Sequence, residues 1–256
     1  MWGPLAALAT GCGGLVDAWS VAEAPAPTSI ALWSCDVVAN VSPTGANPDG
    51  PWSYGASATL GSPFDRYGHY FAYATGYEGL LDAWSAATHV GLDDPYGCLP
   101  GAFSNPFSTP IQVSTLTARP GQFFLHPGPQ GQYAIARWTA PRAGTYAVQA
   151  TFEGIDIGPT TTDVHLLHDR DEAAPAGYIN LNGGTNSFSF ATSLIVAAGD
   201  TVDFAVGNGG NGFTNDSTAP LMRVANSTRL SVAHEKPQCA QLCTSLAGSL
   251  TELMLS

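Results

Sequence analysis

The sequence predicts an all-β protein: an antiparallel, jelly-roll-like β-sandwich with an irregular N-terminal extension and a short C-terminal helix. Three observations carry this. Segments between Ile111 and Val232 alternate apolar and polar residues with period two, in short runs separated by Gly, Pro and Asp turns. Only 11% of residues are charged, against roughly 25% in ordinary soluble domains. Polarity comes instead from Gly, Pro, Ser, Thr and Asn, which suit strands and tight turns. No amphipathic segment of helix length interrupts the runs, which argues against a parallel α/β sheet.

Taken in order, residues 1–46 read as a signal-like or linker region, with A-P-A-P-T near Pro25. An apolar run ending in A-T-G-C resembles the tail of a bacterial lipoprotein signal and makes Cys12 the candidate lipid anchor, although no basic stretch precedes it. G-L-V-D-A-W-S, from Gly14 to Ser20, is echoed by G-L-L-D-A-W-S, from Gly79 to Ser85. Each copy is expected to form one helical turn with Leu and Trp inward. The match does not extend, so no repeat architecture follows.

The sandwich domain is expected over 47–233, with aromatic-rich loops and strands in 51–110 and the core strands in 111–233. I-Q-V-S-T-L-T-A starts the alternation at Ile111. In Q-Y-A-I-A-R-W-T-A, Tyr133, Ile135 and Arg137 share one face and Ala134, Ala136 and Trp138 the other. In T-Y-A-V-Q-A-T-F, Tyr146, Val148, Ala150 and Phe152 share a face. T-D-V-H-L-L-H, A-G-Y-I-N-L, N-S-F-S-F-A-T-S-L-I-V and T-V-D-F-A-V-G complete the set. In 234–256, Leu242, Leu246, Leu250 and Leu253 stand near helical spacing, so a helix is expected after Pro237.

Charge excludes some partners. The net charge is −12, with Lys236 the only lysine. Such a surface repels phosphate backbones and anionic membranes, which argues against nucleic-acid binding. No stretch is long and apolar enough for a transmembrane helix. The five cysteines, Cys12, Cys35, Cys98, Cys239 and Cys243, form no C-x-x-C pair, which argues against a structural zinc. With Cys12 set apart, the other four allow three pairings, of which Cys35–Cys98 with Cys239–Cys243 is preferred. G-x-S-x-G, H-E-x-x-H and the P-loop pattern are absent from the sequence.

One resemblance is carried by F-L-H-P-G-P-Q-G-Q-Y-A-I-A-R-W-T-A-P-R-A-G-T-Y, T-T-T-D-V-H-L-L-H and A-A-G-D-T-V-D-F-A-V-G-N-G-G-N-G-F-T-N-D-S-T, with N-P-D-G-P-W-S-Y-G as the opening segment. Roughly residues 47 to 218 resemble a secreted bacterial β-sandwich domain of the carbohydrate-binding-module type, found in proteins with sorting signals of the PEP-CTERM type. The resemblance implies an extracellular or cell-surface location and no settled activity. The expected sorting signal does not follow the sandwich here.

Candidate sites fall in two places. Trp52, Tyr54, Tyr67, Tyr70 and Phe213 are the expected ligand-binding aromatics, since sugar rings stack C–H faces on such side chains; the competing reading is a second core layer. Asn208, Asn211, Asn215 and Asp216, in a Gly-rich loop, offer the hard oxygens that calcium prefers, with Asp156, Asp163 or Asp203 as possible neighbours. The competing reading is a hairpin loop held by Asn and Asp turns. His126 reads as a turn residue. His165 and His168 fall on opposite faces of a strand, whereas Asp163 and His165 share one and can form a carboxylate–imidazole pair. Asp65, Glu78, Asp93, Asp94, Glu153 and Asp156 are the carboxylates available for glycosidase chemistry, and none stands out. The expected function is non-catalytic binding of a polysaccharide or other extracellular polymer, with calcium the candidate cofactor. The alternatives are a polysaccharide hydrolase or lyase and a structural envelope protein.

Overall fold

The computed structural model of the chain describes residues 35–37, 46–72, 80–86, 97–181 and 183–227. Its strands are β1 (Cys35–Val37), β2 (Trp52–Ser57), β3 (Asp65–Arg66), β4 (His69–Phe71), β5 (Asp82–Ser85), β6 (Gly101–Ser104), β7 (Ile111–Val113), β8 (Leu116–Ala118) and β9 (Phe123–His126). They continue as β10 (Tyr133–Thr139), β11 (Gly144–Gly154), β12 (Asp163–His168), β13 (Asp171–Glu172), β14 (Gly177–Tyr178), β15 (Ser187–Val196), β16 (Thr201–Val206) and β17 (Thr218–Asn226). One sheet runs β15-β11-β17-β9-β6-β5-β4, with β1 also on β17; the other runs β13-β12-β16-β10-β2-β3, with β14 also on β12. Pairing is antiparallel and no helix occurs among the described residues, so the fold is an all-β sandwich.

Alternation explains the layers. In the second sheet Trp52 and Tyr54, Ala134, Ala136 and Trp138, Val164 and Leu166, and Val202, Phe204 and Val206 point inward. Tyr146, Val148, Ala150 and Phe152 of β11 meet them from the first sheet. Trp138 and Tyr146 pack ring to ring at 4.8 Å, and Trp52 and Phe204 at 5.8 Å. The faces expected for Gln132–Ala140 and Thr145–Phe152 are therefore the faces observed. A second apolar cluster, with Phe103, Phe124, Ile111 and Leu116, lies where the β7–β8 hairpin covers the outside of the first sheet. Asn47 secures the start of the domain: its amide donates to the Tyr54 and Tyr67 carbonyls at 2.8 and 3.0 Å and accepts from the Tyr54 amide at 2.9 Å.

Several expectations change. I-Q-V-S-T-L-T-A is a hairpin of two three-residue strands, because Ser114 takes φ 54 and reverses the chain. The second D-A-W-S copy is a buried strand, β5, held between β4 and β6, and not a helical turn. Ladder bonding on both sides and burial of all four residues override the local pattern. The first copy, Cys12 and the helix expected after Pro237 lie outside the described residues. Cys98 is buried, and no disulfide is found among the described residues.

The outward face of β10 and β16 carries a cross-strand ion pair. Arg137 donates Nε and Nη2 to Asp203 at 2.6 and 2.8 Å, and the two side chains are 16% and 2% exposed. The Phe64 ring lies 4.1 Å from the guanidinium carbon. A buried pair of this kind is costly to break from one side, because the remaining charge is left without a partner. Arg137→Ala should destabilise the fold by about 3–5 kcal/mol. Arg137→Met with Asp203→Leu should recover most of that loss. Urea unfolding of the single and double variants checks both outcomes.

Candidate ligand-binding site

Because Val164 and Leu166 point inward, Asp163 and His165 must point outward from β12. Cross-strand register then assembles a row. Tyr178 of β14 stands opposite Asp163, Gly207 follows β16 beside Asp163, and Tyr133 of β10 lies opposite Ser57 of β2. Gly207 is required here, since a Cβ at that position would collide with both the Asp163 carboxylate and the Tyr133 ring. Over this gap the Tyr133 hydroxyl donates to Asp163 Oδ2 at 2.7 Å.

Asp163 is held by two further donors. The Gly209 amide donates to Oδ1 at 2.7 Å, and His165 Nε2 donates to Oδ2 at 2.8 Å. The other imidazole nitrogen, Nδ1, donates to Glu172 Oε1 at 2.8 Å. With a carboxylate oxygen at each nitrogen, the ring carries both protons and a positive charge. Burial alone would depress the imidazolium, but the hydrogen bonds and charges of Asp163 and Glu172 outweigh it and raise its pKa. Burial would likewise raise Asp163, yet the bonds from His165, Tyr133 and Gly209 carry it below its ordinary value. The Tyr133 phenol is pushed up, first by burial and then by Asp163. Tyr178 is 38% exposed at one end of the row, and Tyr133 is half-buried three strands away, a separation of about 14 Å at the usual strand spacing.

Glu172 reaches His165 through a two-residue turn. His168 pairs with Asp171 and Leu167 with Glu172, leaving Asp169 and Arg170 at φ 49 and 79. Both residues lie in the left-handed region, as a type I′ hairpin requires. The Asp163–His165 pair is the one expected from their shared face. Tyr178 and Glu172 were not expected, because each depends on a short strand returning beside β12.

The expected aromatic residues divide. Trp52, Tyr54 and Tyr67 are 4%, 1% and 1% exposed, so they are core residues with no ring face for a ligand. W-S-Y places Trp52 and Tyr54 two apart on β2, facing the other sheet. Tyr70 is half-buried against Trp84 and donates to Asp82 Oδ2 at 2.9 Å. Phe213 is half-buried, with its ring 6.3 Å from His126. His126 is itself buried, with Nδ1 2.8 Å from the Pro127 carbonyl, as its turn position implies.

Of the four expected metal ligands, Asn211 and Asp216 converge on the Thr161 hydroxyl, while Asn208 and Asn215 contact other groups. Asn208 accepts from the Gly210 amide at 3.1 Å, closing an Asx turn. Thr161 Oγ1 lies 3.4 Å from Asn211 Oδ1 and 3.3 Å from Asp216 Oδ1. Thr115 Oγ1 lies 2.9 Å from both Asp156 Oδ1 and Asn215 Oδ1. Each hydroxyl has one proton to give, so neither can donate to both of its oxygen neighbours at once. Asp216 is 0% exposed, and its Oδ2 has no hydrogen-bond partner. Burial first, and then the charges of Asp156 and Asp163, push its pKa up to about 7 despite the Thr161 bonds. An oxygen-rich pocket with an unpaired buried carboxylate oxygen fits a hard cation.

Other polar clusters are tied into turns. His168, Asp169 and Asp200 bring ligand atoms within 4.8 Å of one another, but Asp169 accepts from the Thr201 amide and Asp200 from the Ala197 amide. Of the glycosidase carboxylates, Asp65 is exposed on β3, and Asp156 accepts from Ser217. Glu153 pairs with Arg119 at 2.7 Å beside an open groove of about 300 Å³ on the first sheet. Glu78, Asp93 and Asp94 lie outside the described residues.

No protein-family model and no curated protein sequence matches the chain. Solved structures similar to part of it include a family 35 carbohydrate-binding module from Clostridium thermocellum, at 15% identity over 45% of this chain and 85% of that one, with a TM-score of 0.30. A family 35 module from an environmental isolate matches at 15% identity over 41% and 73%, with a TM-score of 0.28. A CBM4 structure matches at 17% identity over 45% and 77%, with a TM-score of 0.28.

The His165 network carries a pH signature. The imidazole's folded pKa lies above its ordinary 6.5, so its stabilisation is full below that value and fades as pH rises through the folded pKa. Asp163 lies below its ordinary 3.8, so its stabilisation is present above that value and fades as pH falls through the folded pKa. His165→Gln should cost about 1.5–3 kcal/mol in mildly acidic buffer. The gap to the wild type should narrow as pH is raised into the alkaline range. Urea titrations across pH check this, and a constant gap would contradict a charged imidazole.

Proposed function

We propose that this chain is an extracytoplasmic, non-catalytic glycan-binding or surface-adhesion β-sandwich, stabilised by calcium. The observation that carries the reading is the row Tyr178–Asp163–Gly207–Tyr133 on the outer face of the second sheet. Two tyrosines flank a carboxylate whose orientation is held by three donors. Aromatic faces accept sugar C–H groups, and the buried Asp163 fixes the position of the Tyr133 hydroxyl. The sequence resemblance over residues 47–218 points the same way.

The arrangement favours binding over hydrolysis. Both His165 nitrogens are engaged by carboxylates, so neither is available to move a substrate proton. Asp163 is held ionised, which unsuits it as a general acid. Lysine scarcity and the net charge of −12 suit a secreted or surface protein.

A calcium ion would be held by Asp216 with oxygens from Asn211, Asn215 and the neighbouring loops, giving Asp216 Oδ2 a partner. It would secure the loop from Gly207 to Ser217, whose Gly209 amide orients Asp163.

Isothermal titration with neutral and acidic polysaccharides tests the binding site. A bound polysaccharide should lose about tenfold in affinity, roughly 1.4 kcal/mol, on Tyr178→Ala. Absence of binding across the panel, or full affinity in that variant, overturns the reading. For the metal, calcium should raise the melting temperature of the wild type and leave that of Asp216→Asn unchanged. A wild-type melting curve that responds to neither calcium nor chelator removes calcium from the account.

A further inference from the structure

Each sheet of the sandwich ends in edge strands, and an unpaired edge is a template for another strand. Three of the edges are short, and two of them are charged. β3 is Asp65–Arg66, β13 is Asp171–Glu172, and β4 is the three residues His69–Phe71. Charges and brief length are the usual protection against edge pairing.

β15 breaks this pattern. It runs ten residues, S-F-S-F-A-T-S-L-I-V, about 34 Å at the strand rise, and pairs only with β11 among the described residues. It contains no charged residue, no Pro and no Gly. Such a composition favours strand pairing when it stands on an edge. Its outward side chains Ser187, Ser189, Ala191 and Ser193 are small and exposed, and Ile195 is 81% exposed. On the inward side, Phe188 and Leu194 remain half-buried, with Phe188 against Gly177 of β14.

We propose that β15 pairs antiparallel with β15 of a second copy of this chain, joining the two first sheets across a two-fold axis. An antiparallel edge is self-complementary, so one strand supplies both halves of a closed, isologous interface. Charge favours a second copy at this place. At a net charge of −12, two chains repel wherever carboxylates meet, and β15 is a long stretch of edge free of them. Pairing also covers Phe188, Leu194 and Ile195 in one step.

Sedimentation velocity and light scattering on the full chain, at tens of micromolar, test the proposal. The wild type should run at twice the chain mass. Ala191→Lys should halve it while keeping a cooperative unfolding transition, since the side chain points to solvent and sets like charges opposite each other across the axis. Should Ala191→Lys unfold, Ile195→Lys at the most exposed position serves instead. A monomeric wild type, or a dimer that survives a folded lysine variant, overturns the proposal.

Discussion

Everything in this sandwich follows from one constraint: a strand has two faces, and one of them must be dry. Val164 and Leu166 of β12, Val202, Phe204 and Val206 of β16, and Ala134, Ala136 and Trp138 of β10 close over the same core as β11. The residues between them are thereby sent outward in register. Asp163, His165, Asp203, Tyr133 and Arg137 share a surface because their neighbours share a core. The polar face of the second sheet is thus the complement of its apolar face.

The charges placed on that face are compensated. Arg137 meets Asp203 in a two-point contact, and His165 stands between Asp163 and Glu172. Partly buried charge is tolerated when paired and hydrogen-bonded, and it orients the groups it pairs. Asp216 departs from this rule, with one oxygen bonded and the other without a partner. Its departure coincides with the loop that supplies the Gly209 amide to Asp163, so a buried carboxylate with a bare oxygen neighbours one held by three donors.

Hydrogen bonds within the His165 network occupy both nitrogens of its imidazole. A general acid or base needs a free lone pair or proton facing the substrate. Here the imidazole is consumed by its own carboxylates, and what remains exposed is tyrosine and the edge of Glu172, whose side chain is 48% exposed. Gly207 leaves the space that brings Tyr133 onto Asp163.

The inward faces of β10 and β11 were legible in the sequence, as was the Asp163–His165 pair, because alternation is a property of adjacent residues. The turn role of His126 was legible for the same reason. Glu172 and Tyr178 were not, since each joins the site only when a short strand folds back beside β12. Trp52, Tyr54 and Tyr67 read equally well as a binding face or a core layer, and the closure of the first sheet over them decided for the core. The edge position of β15 is of the same kind. Which side chains share a strand face is set within two residues, so the sequence by itself determined the faces. Which face meets a partner strand, a second sheet or solvent depends on contacts between residues far apart in the chain, and only the tertiary structure decided that.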